Sequence, residues 1–253
     1  MTEFFLAWIQ GITELLPISS SLHLSLWGGS TNLDLALALH AGSGLGLCAR
    51  LGPYVCDLFR PQAKTLWIQG LIATLPIGIV GYVLDVYGLR ALLDNAAGLG
   101  TFSIIGGSLI ILADRWSSGK FPWTKLQGKR LVIWSFSQIP GLFSGVSRLG
   151  TAIVMGRFLS LRRKDAALWG YISGLWVLGA TTSWLLLKTA CYGSMSTLFS
   201  PHLLGAMVVT ASVTYVFYPW ALRLMATPQG LMVLGGYRII LGALVLVKEY
   251  VIK

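Results

Sequence analysis

A short stretch near the N-terminus combines groups that can move protons and attack electrophilic centres. Gln10–His23 reads QGITELLPISSSLH and carries an amide, a carboxylate, three hydroxyls and an imidazole. Gln10 and Glu14 are one helical turn apart and share a helix face, and Pro17 then ends or kinks that helix. The hydroxyls that follow, where a new helix needs a cap, are those of Ser19, Ser20 and Ser21. Such side chains suit nucleophilic or general acid–base catalysis.

A second stretch, QIPGLFSGVSRLGT at 138–151, has the same mixture of polar residues, Gly and Pro inside an apolar run. Without a gap it aligns with the first at an offset of 128 residues, so the pairs Gln10 and Gln138, Ser19 and Ser147, and His23 and Thr151 coincide. The second stretch also supplies Gly145, Gly150 and Arg148. Glycines allow close backbone approach, and a guanidinium can fork two oxygens of an anion.

Composition defines the surroundings of both stretches. Hydrophobic residues make up 55% of the chain, charged residues only 11%, and the mean hydropathy is +0.73. These values predict an all-α polytopic membrane protein. Spanning segments are predicted near residues 35–50, 66–84, 98–113, 166–187, 203–222 and 235–252, and the two interrupted segments lie near 4–30 and 131–156. The prediction is therefore six spanning helices and two re-entrant pairs of half-helices.

Irregular backbone at membrane depth is tolerated only when protein buries it or when it lines a wet cavity. Two interrupted segments at matching places therefore predict a shared central site. Free N–H groups and the positive dipole end make a half-helix N-terminus an anion site. With Arg148, Glu14 and His23 beside two such ends, the predicted ligand is a phosphate or pyrophosphate whose lipid tail stays in the bilayer.

The net charge of +10 does not indicate nucleic-acid binding, because the basic residues concentrate in short loops. If each interrupted segment returns to its own side, one face receives 13 Lys or Arg and the other receives four, so the first face is predicted to be cytoplasmic. Both termini then lie outside. SIIGGSL at 103–109 and RIILGAL at 238–244 give a second, weaker match. The chain is predicted to be one membrane domain, 1–253, built of inverted repeats at approximately 1–125 and 126–253.

Plainer interpretations accompany these hypotheses. Glu14 is the only acidic residue well inside an apolar segment and Arg148 is expected to be the deepest arginine, so the two could form a purely structural ion pair. Serines in membrane helices often bond back to a carbonyl. The residues expected to have ordinary structural roles are His40, His202, Cys48, Cys56 and Cys191. The N-terminus lacks a basic leader, so no cleavable signal peptide is expected.

ITELLPISSSLH is similar to the E-G-x-x-E-F-L-P-[VI]-S-S-T-G-H motif of the bacterial undecaprenyl-pyrophosphate phosphatase family, and GVSRLG resembles its P-G-x-S-R-S-G motif. The likeness extends to chain length, doubled architecture and motif placement. It implies an enzyme on the outer side of the bacterial cytoplasmic (inner) membrane that removes one phosphate from undecaprenyl pyrophosphate and recycles the lipid carrier for cell-wall synthesis. In that family a Ser or the His is proposed as nucleophile, and the glutamates as ligands of a divalent metal.

By this resemblance, Glu14 matches the second motif glutamate, and Ser147, Arg148 and Gly150 match the S-R-x-G core. The chain departs from the two motifs at Gln10, Leu22, Ser144 and Leu149. Gln10 replaces the first glutamate and brings no charge, which puts a bound Mg²⁺ or Ca²⁺ in doubt, with Glu14 as its candidate ligand.

The predicted catalytic residues are Glu14, Ser20, His23 and Arg148. The predicted substrate-binding residues are Gln10, Ser19, Ser21, Ser147, Gly150 and Thr151. The nucleophile is left open between Ser20, His23 and water. A rival hypothesis is a polyprenyl-phosphate flippase without hydrolysis, and a third is a general lipid-phosphate phosphatase, whose K-x₆-R-P signature the chain lacks. The predicted partners are the lipid and the bilayer; the oligomeric state is left open, with a homodimer as one option.

Overall fold

In a computed structural model, residues 2–28, 32–60, 64–89, 95–192 and 199–251 are described, and within these ranges the chain is helical with no strand. The helices are α1 Thr2–Thr13, α2 Ser20–Gly28, α3 Leu33–Arg50, α4 Gly52–Asp57, α5 Lys64–Val86, α6 Ala96–Trp116, α7 Lys129–Phe136, α8 Arg148–Phe158, α9 Arg163–Tyr192, α10 Pro201–Met225 and α11 Pro228–Val251. The all-α polytopic membrane class is confirmed. Arg90 and Lys253, two of the four basic residues counted for the second face, lie outside the described ranges, as does Met1.

Five of these helices, α5, α6, α9, α10 and α11, are long and apolar enough to cross a membrane. The sixth predicted span, near 35–50, corresponds to α3, which is not among them. It has only 18 residues and carries Asp34, His40 and Arg50. Because α3 packs between α9 and α10 and buries Leu39 completely, its contacts are with protein to a larger extent than a lipid-facing helix requires.

Each interrupted segment consists of two short helices separated by irregular backbone. In the first segment α1 ends at Thr13 and α2 begins at Ser20, and in the second α7 ends at Phe136 and α8 begins at Arg148. The 12 residues of α1 extend about 18 Å, which is well short of a hydrocarbon core of roughly 30 Å. Neither half can cross alone. Re-entry to the original side remains a prediction.

Glycines bring the last helices of the two halves, α6 and α11, into backbone contact. A Cβ atom on Gly100 would lie 2.8 Å from the carbonyl oxygen of Gly242, and one on Gly235 would lie 2.8 Å from that of Gly107. Such small-residue seams hold helices together in lipid, where packing replaces the hydrophobic effect. Any larger side chain at these positions would force the two helices apart.

The helix contacts between the two halves occur in matching pairs with the partners exchanged. Helix α1 packs on α10 as α7 packs on α5, and α3 packs on α10 as α9 packs on α5. Helices at equivalent positions of the two halves also contact each other, α3 with α9 and α6 with α11. The matched residues Ser103 and Arg238 touch, with the Ser103 hydroxyl donating to the Arg238 carbonyl at 2.9 Å. Two repeats related by a two-fold axis would have these pairings, and the inverted repeat remains a prediction.

Two exposed native cysteines test the predicted topology. Cys56 lies in α4 and Cys191 lies near the end of α9, and the loop charges predict opposite sides for them. In intact cells we expect an impermeant thiol reagent to label a variant that retains only Cys191. A variant that retains only Cys56 should label only after permeabilisation. The reverse pattern would invert the orientation, and labelling of both from outside would contradict the predicted side of the α4 loop.

Candidate functional site

The break in the first segment ends at a serine with unusual backbone geometry. Ser19 has φ of +69°, a region that residues other than glycine rarely adopt. Its hydroxyl accepts a hydrogen bond from the N–H of Leu22 at 3.4 Å, as an N-cap does. The N–H groups of Ser20 and Ser21 are therefore left at the start of α2 without helical partners. These two donors can bind an anion.

The second segment repeats this geometry at the matching residue. Ser147 has φ of +67°, and its hydroxyl caps α8 by accepting from the N–H of Gly150 at 3.1 Å. The two segments also touch, because the N–H of Gly145 donates to the hydroxyl of Ser19 at 3.1 Å. Gly145 has φ of +91°, and the carbonyl of Leu99 leaves no room for a Cβ. A hydrogen bond therefore joins the turns that precede α2 and α8.

A buried arginine on α11 holds both breaks together. Arg238 is completely buried, and one of its terminal nitrogens donates to the carbonyl oxygen of Pro17 at 2.9 Å. The other donates to the carbonyl oxygens of Gly145 and Val146 at 2.7 and 2.8 Å. No carboxylate within the described ranges forms an ion pair with this guanidinium. It thus satisfies carbonyl groups that the two interruptions leave without helical partners.

We expected Arg148 to be the deepest arginine, and the structure adds two arginines whose side chains are better shielded from solvent. Arg238 is 0% exposed and Arg157 is 2% exposed, whereas Arg148 is only partly buried. Arg238 entered the sequence argument only through the RIILGAL match. Its signal was available, because it is a charged residue inside the last apolar segment, where an ionisable group is a functional candidate by default.

Two groups of the first segment donate hydrogen bonds to one carboxylate oxygen. The hydroxyl of Ser20 donates to Oε2 of Glu14 at 2.8 Å, and the amide nitrogen of Gln10 donates to the same oxygen at 3.2 Å. The Gln10 nitrogen also lies 3.5 Å from the hydroxyl of Ser43 on α3. Ser43 is completely buried, and nothing in the sequence pattern had singled it out. The Ser20 hydroxyl is therefore hydrogen-bonded to a carboxylate that can accept its proton.

Both ring nitrogens of His23 have partners. Nδ1 lies 2.8 Å from the carbonyl oxygen of Ser19, which can only accept, so Nδ1 carries the proton. In the neutral ring Nε2 then accepts from the hydroxyl of Tyr237, 2.7 Å away, and the two rings stack with centroids 5.8 Å apart. Sequence reasoning missed Tyr237, which lies next to Arg238 on α11. His23 cannot attack through Nε2 unless the tyrosine hydroxyl first moves away.

Arg148 stands at the first position of α8 with most of its hydrogen-bonding capacity unused. One terminal nitrogen donates to the carbonyl oxygen of Gly170 at 3.2 Å, and the absence of a side chain at Gly174 makes room for the other. Among the described residues it forms no ion pair with Glu14. The structural ion pair is therefore absent, and the guanidinium has donors left for an anionic ligand.

The remaining predicted residues occupy the edge of the same site. Ser21 is exposed, and its hydroxyl lies 3.1 Å from the hydroxyl of Ser19. The hydroxyl of Thr151 donates back to the carbonyl oxygen of Arg148 at 2.7 Å, as serines and threonines in membrane helices often do. Gly150 is packed against Arg238, whose Nη1 would lie 2.8 Å from a Cβ there. Gly150 thus keeps space for the guanidinium.

A divalent cation would find few ligands here. The described residues include no group of three or more His, Cys, Asp or Glu side chains that could hold a metal ion. Glu14 offers one carboxylate, and Gln10 offers a buried amide oxygen that has no hydrogen-bond partner. One carboxylate and one amide are fewer protein oxygens than Ca²⁺ prefers, and less charge than a two-glutamate site supplies. These residues do not form a cation site by themselves.

Comparison with known proteins gives a consistent result over nearly the whole chain. Residues 3–244 match the family described as bacitracin resistance protein BacA. The undecaprenyl-diphosphatase 2 of Pseudoalteromonas translucida is 30% identical, with 96% of each chain covered. The undecaprenyl-diphosphatases of Dichelobacter nodosus and of a Mycobacterium species are 31% and 29% identical, covering 95% and 96% of this chain and 95% and 94% of theirs.

Replacing Arg238 tests its role as the link between the breaks. Arg238→Met keeps an apolar side chain but leaves buried carbonyl oxygens without donors, at about 1–3 kcal/mol for each group. We expect the thermal unfolding midpoint of the purified protein to fall sharply. Arg223→Met, a change at an exposed arginine near the end of α10, should leave it nearly unchanged. Equal midpoints for the two variants would show that Arg238 does not hold the segments together.

Proposed function

Because the chain belongs to the bacitracin resistance protein BacA family, we infer that it is an integral-membrane phosphatase that hydrolyses undecaprenyl pyrophosphate to the monophosphate. The relatives named above carry that activity in their names. The observation that carries the inference is the hydrogen bond between the Ser20 hydroxyl and the Glu14 carboxylate at the N-terminus of α2. The capping residue of this helix, Ser19, also accepts a hydrogen bond from Gly145 in the turn before α8. Hydrolysis regenerates the monophosphate lipid carrier for cell-wall synthesis.

A flippase would not need the hydrogen bond between Ser20 and Glu14. Transport requires a site that binds the lipid phosphate and two arrangements of the helices around it, but no nucleophile held against a base. The relatives are named as diphosphatases and not as transporters. The flippase alternative is therefore not favoured.

We propose that the pyrophosphate lies between the N-termini of α2 and α8, with Arg148 beside it. The first N–H groups of both helices would donate to its oxygens, and the Arg148 guanidinium would fork two more. These donors are fixed before the substrate arrives, because the hydroxyls of Ser19 and Ser147 and the clamp of Arg238 hold the backbone. Preorganised donors stabilise the charge that develops on the leaving phosphate.

Ser20 is the nucleophile that this geometry supports best. Its oxygen would attack the terminal phosphorus while its proton passes to Glu14, and the bond from that phosphorus to the bridging oxygen breaks. Undecaprenyl phosphate leaves. Water then attacks the phosphoserine and gives up one proton to solvent, while the proton held by Glu14 passes to the serine oxygen. The products are inorganic phosphate, the serine hydroxyl and an ionised Glu14. His23, whose Nε2 accepts from Tyr237, would orient the Ser19 carbonyl and the turn that carries Ser20.

We propose the bacterial inner membrane as the location, with both termini outside and the site reached from the outer side. The positive-inside distribution of loop charges supports this orientation. A homodimer stays one option for the oligomeric state.

The identity of the nucleophile can be tested by trapping the phosphorylated protein. Purified protein is given undecaprenyl pyrophosphate labelled on the terminal phosphate, and free phosphate and protein-bound label are both measured. Ser20→Ala should lower phosphate release at least ~100-fold and abolish the bound label. Ser25→Ala, at an exposed serine further along α2, is the matched control and should retain most of the rate.

Stability of the trapped label separates the alternatives. Acid-stable label on Ser20 is the expected result, whereas acid-labile label on His23 would assign the histidine. Rapid phosphate release with no label, together with an active Ser20→Ala protein, would favour direct attack by water. No phosphate release by the wild-type protein would contradict the proposed function itself.

Gln10 allows a test of the cation. We propose that Arg148 and the N-termini of α2 and α8 neutralise the charge of the pyrophosphate in this protein. In a relative with two glutamates, a bound metal ion would neutralise part of that charge, since cation affinity depends on ligand charge. Phosphate release should then survive a chelator better than it does in a two-glutamate relative. Gln10→Glu should raise turnover and make it sensitive to chelator. Complete loss of wild-type activity in chelator, or an unchanged Gln10→Glu protein, would contradict this proposal.

A further inference from the structure

The side chain of Arg148 lies in a slot whose walls include three glycines. At its base, a Cβ on Gly141 would lie 2.7 Å from the Cα of Arg148. At its head, a Cβ on Gly174 would lie 2.6 Å from Nη2, and Nη1 donates to the carbonyl oxygen of Gly170 at 3.2 Å. Gly141 belongs to the turn before α8, and the other two glycines belong to α9. We name Gly141, Gly170 and Gly174 the arginine slot.

Gly174 leaves space for the guanidinium itself. The three heavy atoms nearest to a Cβ at Gly174 all belong to the Arg148 guanidinium. Gly170, one turn earlier on the same face of α9, packs differently, because a Cβ there would approach Leu149 of α8 to 2.7 Å. A glycine inside a helix costs about 1 kcal/mol relative to alanine. The group that a side chain at Gly174 would disturb first is therefore the Arg148 guanidinium.

The matching glycines of the first half have a different neighbour. At the offset of 128 residues, Gly170 and Gly174 align with Gly42 and Gly46 of α3. A Cβ on either of those two would clash with a backbone carbonyl oxygen of α10, so they allow two helices to approach closely. At Gly174 the close neighbour is instead a charged side chain. The same pair of glycines thus serves helix packing in one half and makes room for a guanidinium in the other.

The arginine slot restricts where the guanidinium points. The Arg148 head has one hydrogen bond, to a carbonyl oxygen of α9, and no ion pair among the described residues. A planar guanidinium held along one edge can still donate from its other edges. Because the side chain is already restricted before a ligand arrives, it loses fewer conformations when it binds an anion.

We propose that Gly174 is a positioning residue for the pyrophosphate reaction, an inference that rests on the proposed function. It keeps the Arg148 guanidinium against α9, at the place from which the guanidinium donates to phosphate oxygens. A methyl group at Gly174 would push Nη2 away by about 1 Å, because unbonded atoms of this size come no closer than about 3.5 Å. A displacement of about 1 Å can cost roughly 100-fold in rate.

Gly174→Ala tests this assignment with a single methyl group. The methyl would displace the free end of a flexible side chain, and alanine is the better helix former, so the thermal unfolding midpoint should stay at or above that of the wild type. Gly179→Ala on the same helix is the matched control, because a Cβ there has no heavy atom within 4 Å. We expect kcat/KM for undecaprenyl pyrophosphate to fall at least ~10-fold in Gly174→Ala and to stay unchanged in Gly179→Ala.

A double-mutant cycle separates an effect through Arg148 from a general effect on the fold. Dissociation constants for a non-hydrolysable methylene analogue of a polyprenyl pyrophosphate are measured for the wild type, Gly174→Ala, Arg148→Ala and the double variant. Gly174→Ala should weaken binding about tenfold when Arg148 is present. It should have no effect in the Arg148→Ala protein, which has no guanidinium to displace.

Equal weakening with and without Arg148 would overturn the proposal, because the methyl group would then act through the fold. An unchanged Gly174→Ala protein would overturn it too, as would an unfolding midpoint that falls in both backgrounds. The proposed function has separate tests. Absence of phosphate release by the wild type would contradict hydrolysis, and unchanged analogue binding after Arg148→Ala would contradict Arg148 as a phosphate ligand.

Discussion

The structure depends on the clamp that Arg238 forms between two broken helices. A break at membrane depth leaves backbone carbonyls without partners, and each such group in hydrocarbon costs several kcal/mol. One guanidinium donates to Pro17 on one side and to Gly145 and Val146 on the other. Because a single planar group serves both breaks, the segments cannot separate without exposing several carbonyls together. The close packing of α6 on α11 holds Arg238 at the required depth.

The clamp fixes the backbone and so frees other groups for chemistry. Ser19 and Ser147 keep φ near +68° and cap the two helices, which leaves the first N–H groups of α2 and α8 to meet an anion. Arg148 forms no ion pair with any residue in the described ranges. The two arginines thus have separate tasks: one satisfies the protein's own carbonyl oxygens, and the other is available to the substrate's phosphate oxygens.

Much of this arrangement could be predicted from the sequence. The apolar composition predicted the helical membrane fold, and the doubled pattern of Ser, Gly and Pro predicted where helices break. Glu14 and Ser20 were both singled out for the site, and the structure joins them by a hydrogen bond across the turn that contains Pro17. Contacts across the fold were beyond the sequence argument. Tyr237 and Ser43 meet His23 and Gln10 from 214 and 33 residues away, and no local pattern reports such pairs. Helix α3 was predicted to span the membrane, but it packs against α9 and α10 and is not among the five long apolar helices.

We propose that the two broken segments, which lead into α2 and α8, bind one pyrophosphate together. Hydrogen–deuterium exchange of the purified protein, with and without a non-hydrolysable methylene analogue of a polyprenyl pyrophosphate, tests it most directly. We expect the analogue to slow exchange at the starts of both α2 and α8, and Arg148→Ala to weaken the protection of both together. Protection of only one helix start, with the other unchanged, would contradict a shared site.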